Sequence, residues 1–355
     1  MKLVIVGDIH VPCRNFREAI EKLNLEFDEI VELEWKVKDK EDFQKKILNI
    51  EKSGSSAEEP PQELYNEIAD AHMLLVHFCP IPKGIIEKGK KLKLIGTCRG
   101  GLEHIDVQAA TENNIPVMHV IRNAEPVADF TLGLILSETR NISRSHEGIK
   151  RGCWRKEFVN SKHTTILKNQ KVGLVGLGHI GKLMASKLTA LGVEVIGYDP
   201  YVNQEELKLN NINIEMVSLE TLFEESDIVS LHLRLTEETE GMVNKELLSL
   251  MKPTSYIINT SRAGVVKEED LIEVLERRGI MGAALDVFWE EPLSEDSPLL
   301  DLDNVTLTSH LAGDTVDAIP KSPKLLVEEI NYFYEKGISS MIVNLGEINL
   351  YNNEE

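Results

Sequence analysis

The sequence predicts an α/β protein with two doubly wound parallel sheets. Short apolar runs alternate with amphipathic stretches along most of the 355 residues. This alternation is typical of parallel strands whose connecting helices cover both faces of a sheet. Apolar residues make up 42% of the chain, which is enough to bury a sizeable core. At roughly 150 residues per domain, the length favours two domains.

The first third of the chain predicts one such sheet. Its candidate strands are Lys2–Val6, Ile30–Trp35, Met73–Phe78 and Leu94–Thr97, and its candidate helices are Phe16–Leu25 and Glu41–Glu51. A long apolar helix is predicted over Glu125–Arg140. Pro126 lies near its start, where a proline costs no helical hydrogen bond.

From Lys171 the alternation becomes regular and predicts six further strands. Six strands separated by helices are typical of a nucleotide-binding sheet. The strands are Val172–Val175, Val193–Gly197, Asp227–Leu231, Tyr256–Asn259, Met281–Leu285 and Val305–Thr308, and helices between them include Ile180–Leu191, Asn244–Met251 and Lys267–Arg278. After Gly313, Ser322 and Pro323 predict the N-cap and first position of a last helix.

A glycine-rich turn follows the predicted strand Val172–Val175 and opens a helix. The first glycine of such a turn allows a tight bend, the second lets a pyrophosphate approach the backbone, and the third allows the helix to pack on the strand. The helix N-terminus attracts the phosphate charge. The residues of this predicted dinucleotide site are Gly176, Gly178, His179, Ile180 and Gly181.

Asp199 ends the next predicted strand. A carboxylate at this position suits two ribose hydroxyls and repels a 2′-phosphate, so the sequence predicts NAD rather than NADP as the cofactor. The alternative, a turn whose glycines serve packing only, does not explain Asp199.

Arg262, Glu291 and His310 each follow a predicted strand, so all three are expected at one edge of the sheet. An arginine there suits binding a carboxylate and polarising a carbonyl, and a histidine can move the proton that accompanies a hydride. A carboxylate can orient that histidine. From position alone, other roles stay open: a surface ion pair for Arg262, solubility for Glu291, and a loop histidine without a catalytic role for His310.

Together these segments resemble the D-isomer-specific 2-hydroxyacid dehydrogenase family. The resemblance extends from Cys98 to Gly313 and rests on the glycine turn, Asn259-Thr260-Ser261-Arg262-Ala263-Gly264, Ala284-Leu285-Asp286-Val287-Phe288-Trp289-Glu290-Glu291-Pro292 and Ser309-His310-Leu311-Ala312-Gly313. It implies catalytic roles for Arg262, Glu291 and His310. It also implies that Thr260 and Asp286 bind the cofactor, with Asp286 near the nicotinamide amide.

The family resemblance also assigns the loop at Arg99, Gly100 and Gly101 to substrate binding through backbone amides. Here Arg99 adds a positive charge, and His104 stands where the family often has asparagine. These departures suggest a larger or more anionic substrate, such as a phosphorylated or polyhydroxy sugar acid. The alternative is that Arg99 pairs with a neighbouring acidic residue.

The resemblance implies a Rossmann NAD-binding domain, residues 124–313, inserted into a flavodoxin-like substrate-binding domain. The latter is predicted to comprise residues 1–123 and 314–345, followed by a polar tail over 346–355. The expected activity is hydride transfer between NAD and a small anionic 2-hydroxy or 2-oxo acid, by a homodimer formed through the NAD-binding domain. The alternative is a non-catalytic NAD-binding sensor or corepressor-like protein of the same fold.

Composition argues against several other classes. The formal charge of −20 is unsuited to general nucleic-acid binding, and no apolar run is long enough for a membrane span. Four scattered cysteines favour a reducing cytoplasm over a disulfide scaffold. Gly7-Asp8-Ile9-His10 resembles the start of a metallophosphoesterase, but the further metal ligands of that class are missing, so no metal site is predicted.

Overall fold

A computed structural model describes residues 1–209 and 211–348. The chain divides into two compact units. Unit 1 comprises Met1–Arg122 and the chain from Thr315 onward, and unit 2 comprises Asn123–Asp314. Residues 349–355 of the predicted polar tail lie outside the described residues. Within the described ranges, no helix is long and apolar enough to cross a membrane.

Unit 1 is built on a five-stranded parallel sheet in the order β2-β1-β3-β4-β5. This is the flavodoxin-like order, with its switch point between β1 and β3. The strands are β1 (Lys2–Gly7), β2 (Glu29–Glu34), β3 (Met73–Val76), β4 (Leu94–Thr97) and β5 (Val117–Met118). The helices are Cys13–Ile20, Lys40–Ser53, Leu64–Glu67, Lys83–Lys88, Val107–Glu112 and Ala318–Lys336.

Unit 2 is built on a seven-stranded parallel sheet in the order β12-β11-β10-β9-β6-β7-β8. Its switch point lies between β6 and β9, as in a Rossmann sheet. The strands are β6 (Lys171–Val175), β7 (Glu194–Tyr198), β8 (Glu215–Met216), β9 (Ile228–Leu231), β10 (Tyr256–Asn259), β11 (Gly282–Leu285) and β12 (Val305–Leu307). The helices are Ala124–Arg140, Ile142–Lys150, His179–Ala190, Gln204–Leu209, Leu219–Glu225, Lys245–Leu250 and Glu268–Glu276.

The predicted α/β class with two parallel sheets is confirmed, and each predicted strand is present within a few residues of its expected bounds. The sequence does not predict two of the strands, β5 and β8. Each has two residues and lies at the edge of its sheet. A run this short carries no readable alternation of apolar and polar residues.

The predicted start of the last helix is wrong. The helix begins at Ala318, and Pro323 lies inside it rather than at its first position. Proline has no N–H to donate to the carbonyl of Ile319, four residues earlier. The hydroxyl of Ser322 donates to that carbonyl instead, at 2.6 Å. The Ser322 hydroxyl thus takes the place of the missing backbone donor. The Ser-Pro pair lies within the helix and does not mark its start.

The central strands are buried on both faces because helices cover both sides of each sheet. In β1, Leu3 and Ile5 pack into one apolar cluster, and Val4 and Val6 pack into another. This alternation follows from the two-residue period of a strand. It explains why β1 reads as a continuous apolar run.

Glu138 offers a test of electrostatics inside unit 2. Its side chain is 1% exposed, and its carboxylate accepts hydrogen bonds from Arg144 Nη2 at 2.6 Å and Thr306 Oγ1 at 2.7 Å. Burial raises the pKa of Glu138 to about 7, although Arg144 opposes the shift. In the unfolded chain this carboxyl group ionises near its ordinary value of 4.5.

We therefore expect the free energy of unfolding to decrease by up to about 3 kcal/mol as the pH rises from about 4.5 through about 7, because ionisation costs more in the folded state. Glu138→Gln should flatten this dependence in urea titrations at several pH values, with the exposed Glu147→Gln as the control. If the wild-type protein became more stable relative to Glu138→Gln as the pH rose over the same interval, the expected sign would be wrong.

Candidate active site

The glycine turn connects β6 to the helix His179–Ala190 and has the shape of a pyrophosphate cradle. Gly176 has a φ of +92°, and a Cβ at this residue would lie 2.7 Å from the carbonyl oxygen of His232. A Cβ at Gly181 would overlap the carbonyl oxygen of Gly176. Gly178 is exposed, and a Cβ there would meet no atom within 4 Å, so the helix N-terminus is open to an anion. These features fit a dinucleotide.

Asp199 follows β7 and lies against this turn. One carboxylate oxygen accepts a hydrogen bond from Leu177 N at 2.8 Å, and the other accepts one from Tyr201 N at 2.8 Å. Each oxygen keeps a second lone pair for another donor. The carboxylate is therefore held beside the cradle by backbone groups, with capacity left for ribose hydroxyls.

Arg262 follows β10 in a loop that Asn259 ties together. The Asn259 amide donates to the carbonyl of Arg262 at 3.0 Å, and its oxygen accepts from both the N–H and the hydroxyl of Ser261. Arg262 Nη1 donates to the carbonyl of Ser261 at 2.7 Å. The hydroxyl of Thr260 bonds that of Thr131 at 2.8 Å. The loop geometry explains the Asn-Thr-Ser-Arg sequence, since the asparagine fixes the arginine's backbone.

His310 and Glu291 form a direct pair, with 2.8 Å between His310 Nδ1 and Glu291 Oε2. Glu291 Oε1 accepts from Phe288 N at 3.0 Å, which fixes the carboxylate. The hydrogen bond from His310, followed by that from Phe288 and the charges of His310 and Arg262, holds the pKa of Glu291 below its ordinary value. The carboxylate engages Nδ1, so Nε2 is the nitrogen available for proton transfer.

Asp286 holds residues on both sides of His310. Its carboxylate accepts from Thr308 Oγ1 at 2.6 Å, Leu311 N at 3.0 Å and Ala312 N at 2.9 Å. His310 between them has a φ of +56°, a left-handed conformation that is unfavourable for a histidine. The fully buried Asp286 thus stabilises a strained loop, in addition to any contact with a cofactor.

In unit 1 the Arg99–Gly101 loop follows β4. The Arg99 guanidinium lies over the Phe78 ring, 3.5 Å from its centroid, and Nη2 is 3.3 Å from Glu51 Oε1. An acidic partner is therefore present, as the alternative interpretation of Arg99 required. His104 is fully buried, and burial holds its pKa far below the ordinary value, so it is neutral and adds no positive charge for a phosphate.

Sequence reasoning missed a hydrogen-bonded group formed by Asp8, His77 and Arg122 in unit 1. In the sequence, Asp8 suggests only a metal ligand. The signal that could have found the group is position, because each residue follows one of the predicted or observed parallel strands. No cluster of three or more metal-binding side chains occurs within residues 1–209 and 211–348.

Comparison with known proteins identifies a family for this chain. Residues 132–312 match the family model for the NAD binding domain of D-isomer specific 2-hydroxyacid dehydrogenases. A glyoxylate reductase from Thermofilum pendens is 39% identical over 279 residues, which are 76% of this chain and 81% of that protein. A D-3-phosphoglycerate dehydrogenase from Methanocaldococcus jannaschii is 36% identical over 291 residues, 81% of this chain. That match covers 54% of the relative, so the chain spans about half its length.

A similar fold occurs in a solved D-isomer specific 2-hydroxyacid dehydrogenase from Lactobacillus delbrueckii ssp. bulgaricus in its NAD-complexed form. The TM-score is 0.65 at 20% sequence identity, over 97% of this chain and 100% of that one. At this identity the likeness concerns the fold. The sequence matches carry the family assignment: this chain belongs to the D-isomer specific 2-hydroxyacid dehydrogenases, with a nicotinamide-binding domain in unit 2.

Proposed function

We propose that this protein interconverts a D-2-hydroxy acid and the corresponding 2-oxo acid with NAD as its cofactor. The observation that carries the proposal is the His310–Glu291 pair, 2.8 Å apart, on the edge of the unit 2 sheet that also carries the glycine turn and Arg262. A histidine with a fixed carboxylate partner is suited to proton transfer. The edge formed by the carboxyl ends of the strands is where ligands bind in such sheets.

In this proposal a bound nicotinamide nucleotide supplies the hydride in reduction and accepts it in oxidation. Arg262 binds the substrate carboxylate and polarises the reacting carbonyl. His310 donates a proton from Nε2 to the carbonyl oxygen, and in oxidation the neutral imidazole removes it. Glu291 stabilises the imidazolium, and Asp286 keeps the His310 loop in position. Arg99 and the amides of the Gly100–Gly101 loop bind an anionic group of the substrate.

The proposal is tested by following NADH oxidation with a panel of 2-oxo acids. The panel should include glyoxylate, pyruvate, hydroxypyruvate, 3-phosphohydroxypyruvate and phosphorylated sugar-acid analogues, because relatives named for different substrates match this chain. Turnover with at least one member supports the proposal. NAD binding without turnover on any of them would favour the sensor or corepressor-like alternative, although such a protein has no need of the His310–Glu291 pair.

Asp199 is expected to set the preference for NAD. Asp199→Asn keeps an acceptor for one of the two backbone donors, Leu177 N or Tyr201 N, and removes the charge that repels a 2′-phosphate. We expect the ratio of kcat/KM for NADH to that for NADPH to fall at least tenfold, measured with a saturating 2-oxo acid. Asp129→Asn, which changes an exposed acid of unit 2, serves as the control. Unchanged discrimination would mean that the ribose is recognised by other residues.

Unit 2 is also proposed to form a homodimer. The helix Ile142–Lys150 has no buried residue, Ile142 and Ile149 are exposed, and Trp154 just after it is 79% exposed. Apolar surface of this kind is typical of an interface. We expect a dimer in sedimentation equilibrium experiments and a shift to monomer in Ile149→Glu/Trp154→Glu, whereas the exposed Tyr201→Glu should stay dimeric. A monomeric wild type would refute this proposal.

The cytoplasmic location remains a prediction, in keeping with four free cysteines.

A further inference from the structure

Two neighbouring loops of unit 2 carry groups of the proposed reaction. β10 and β11 are adjacent parallel strands, so the loops that follow them start side by side at one edge of the sheet. Residues 260–266, which we call the arginine loop, carry Arg262. Residues 286–291, which we call the glutamate loop, carry Glu291. The separation of the two loops therefore sets the distance from the arginine to the acid that pairs with His310.

Trp289 joins the glutamate loop to the arginine loop. Its indole Nε1 donates a hydrogen bond to the carbonyl oxygen of Val266 at 2.8 Å. In the part of the chain that the structure describes, no other hydrogen bond joins these two loops. The start of the glutamate loop is held separately, because Asp286 N donates to the carbonyl of Asn259 in β10 at 3.0 Å. The indole bond therefore fixes the half of the loop that carries Glu291.

The acceptor of this bond lies in a well-fixed part of the arginine loop. Val266 N donates to the carbonyl of Ala263 at 2.9 Å, which closes a single turn. Val243 N donates to the carbonyl of Val265 at 3.0 Å, and Lys267 N donates to the carbonyl of Val243 at 3.0 Å. Val265 and Val266 are both buried. A side chain that binds the Val266 carbonyl is therefore held at a defined place.

Packing also restricts the indole. Trp289 is half-buried and packs against the apolar cluster that includes Val265, Val266 and Leu271. An indole combines a large apolar surface with one N–H donor, so packing and a single directed bond together select its orientation.

The contacts continue from Trp289 to His310. Phe288, the preceding residue, donates its N–H to Glu291 Oε1 at 3.0 Å, and Glu291 Oε2 lies 2.8 Å from His310 Nδ1. The Glu291 side chain is 37% exposed, so packing alone does not hold its carboxylate. The position of that carboxylate depends on the glutamate loop and hence on the bond between Trp289 and Val266.

We propose that Trp289 is a positioning residue, whose indole N–H holds the glutamate loop against the arginine loop and so keeps the His310–Glu291 pair correctly placed relative to a substrate carboxylate on Arg262. The inference rests on the proposed function and adds a residue that acts through Glu291. A displacement of about 1 Å between a catalytic group and a bound substrate can cost up to about 100-fold in rate.

The first experiment is Trp289→Phe, which removes the indole N–H and keeps an aromatic ring. We expect kcat for 2-oxo acid reduction to fall about tenfold, because Glu291 and His310 move relative to the substrate. KM for the 2-oxo acid should change less than about threefold, since Asn259 holds the backbone of Arg262 independently of Trp289. The pH above which reduction slows should fall, because a displaced carboxylate supports the imidazolium less. An unchanged kcat and pH profile would overturn the proposal.

Trp35→Phe is the matched control. In unit 1 the indole of Trp35 donates to the carbonyl of Glu59 at 3.0 Å, and its side chain is buried. Each substitution removes one hydrogen bond from an indole to a backbone carbonyl, so both variants should have a lower thermal midpoint than the wild type. Only Trp289→Phe should change kcat and the pH profile. Equal kinetic changes in both variants would show a general effect of lost packing and overturn the proposal.

A double-mutant cycle tests whether Trp289 acts through Glu291. Trp289→Phe should lower kcat less than about twofold in the Glu291→Gln background, against about tenfold in the wild-type background, because the two changes affect the same interaction. Equal losses in both backgrounds would mean that Trp289 acts independently of Glu291, contrary to the proposal.

Crystal structures of the wild type and Trp289→Phe give a readout that does not need turnover. The Cα atoms of Glu291 and Arg262 should move apart by more than about 0.5 Å, a displacement large enough to disturb a catalytic arrangement. A wild type that reduces no 2-oxo acid would refute the proposed function, whereas the movement of the glutamate loop in Trp289→Phe would still establish the positioning contact. An unmoved glutamate loop would overturn the inference even in an active enzyme.

Discussion

His310→Ala is expected to reduce kcat for 2-oxo acid reduction by about two to four powers of ten. The reason is that Nε2 of His310 is the proton donor in the proposed reaction, while Glu291 occupies Nδ1. The proposed contacts to the pyrophosphate and the ribose are made by the glycine turn and Asp199, which the substitution leaves unchanged, so the dissociation constant for NADH should change less than threefold. Stopped-flow measurement of NADH oxidation and fluorescence titration of NADH binding separate the two effects.

A second substitution at His310 controls for a change in the loop conformation. His310 has a φ of +56°, which alanine tolerates poorly and asparagine tolerates better. His310→Asn should therefore keep the loop, with its bonds to Asp286, and still lose turnover by a similar factor. His146→Ala, which removes an exposed histidine of unit 2, is the matched control. Turnover near that of the wild type in His310→Asn would eliminate the assigned role.

Glu291→Gln tests the carboxylate partner. It removes the negative charge that stabilises the imidazolium, so the pH above which reduction slows is expected to fall. The pH profile of kcat/KM measures this shift. A purely structural role for Glu291 would lower the rate without moving the profile.

The parts of this site that the sequence predicted are those tied to strand ends. A buried parallel strand is a continuous apolar run, and the residue after it falls at a known edge of the sheet. This reasoning identified Asp199, Arg262 and His310 from position. It also identified Gly176 and Gly181. At both residues an added Cβ would lie too close to a backbone carbonyl oxygen, which explains why glycine is needed there.

Other features depended on contacts between residues distant in sequence. The Asp8–His77–Arg122 group joins three strand ends, and no local pattern indicates that His77 accepts a hydrogen bond from Arg122. The hydrogen bonds between the Asp286 carboxylate and the backbone beside His310 could not be predicted either. They join the residue after β11 to the loop that follows β12. Pro323 produced a wrong helix start, since the hydroxyl that compensates for it is visible only in three dimensions.

Substitutions at two glycines of the turn are expected to separate an effect on folding stability from an effect on cofactor binding. Gly181→Ala is expected to lower the free energy of unfolding by about 3 kcal/mol or more, because its Cβ would overlap the Gly176 carbonyl oxygen and the backbone must move. Gly178→Ala meets no atom within 4 Å and has a φ of −69°, so its stability should stay within about 0.5 kcal/mol of the wild type.

Gly178→Ala should nevertheless weaken NAD binding at least tenfold, since its methyl group occupies the space through which a pyrophosphate approaches the helix N-terminus. Urea titration and calorimetric titration with NAD measure the two quantities. Gly133→Ala, inside the helix Ala124–Arg140 and also free of close neighbours, controls for the general gain from replacing a helical glycine. If Gly178→Ala bound NAD as tightly as the wild type, the pyrophosphate would have to bind elsewhere. If Gly181→Ala were as stable as the wild type, the turn would have to relax easily around the added methyl group. Only a rigid, narrow turn with an open helix end gives opposite responses at two glycines three residues apart.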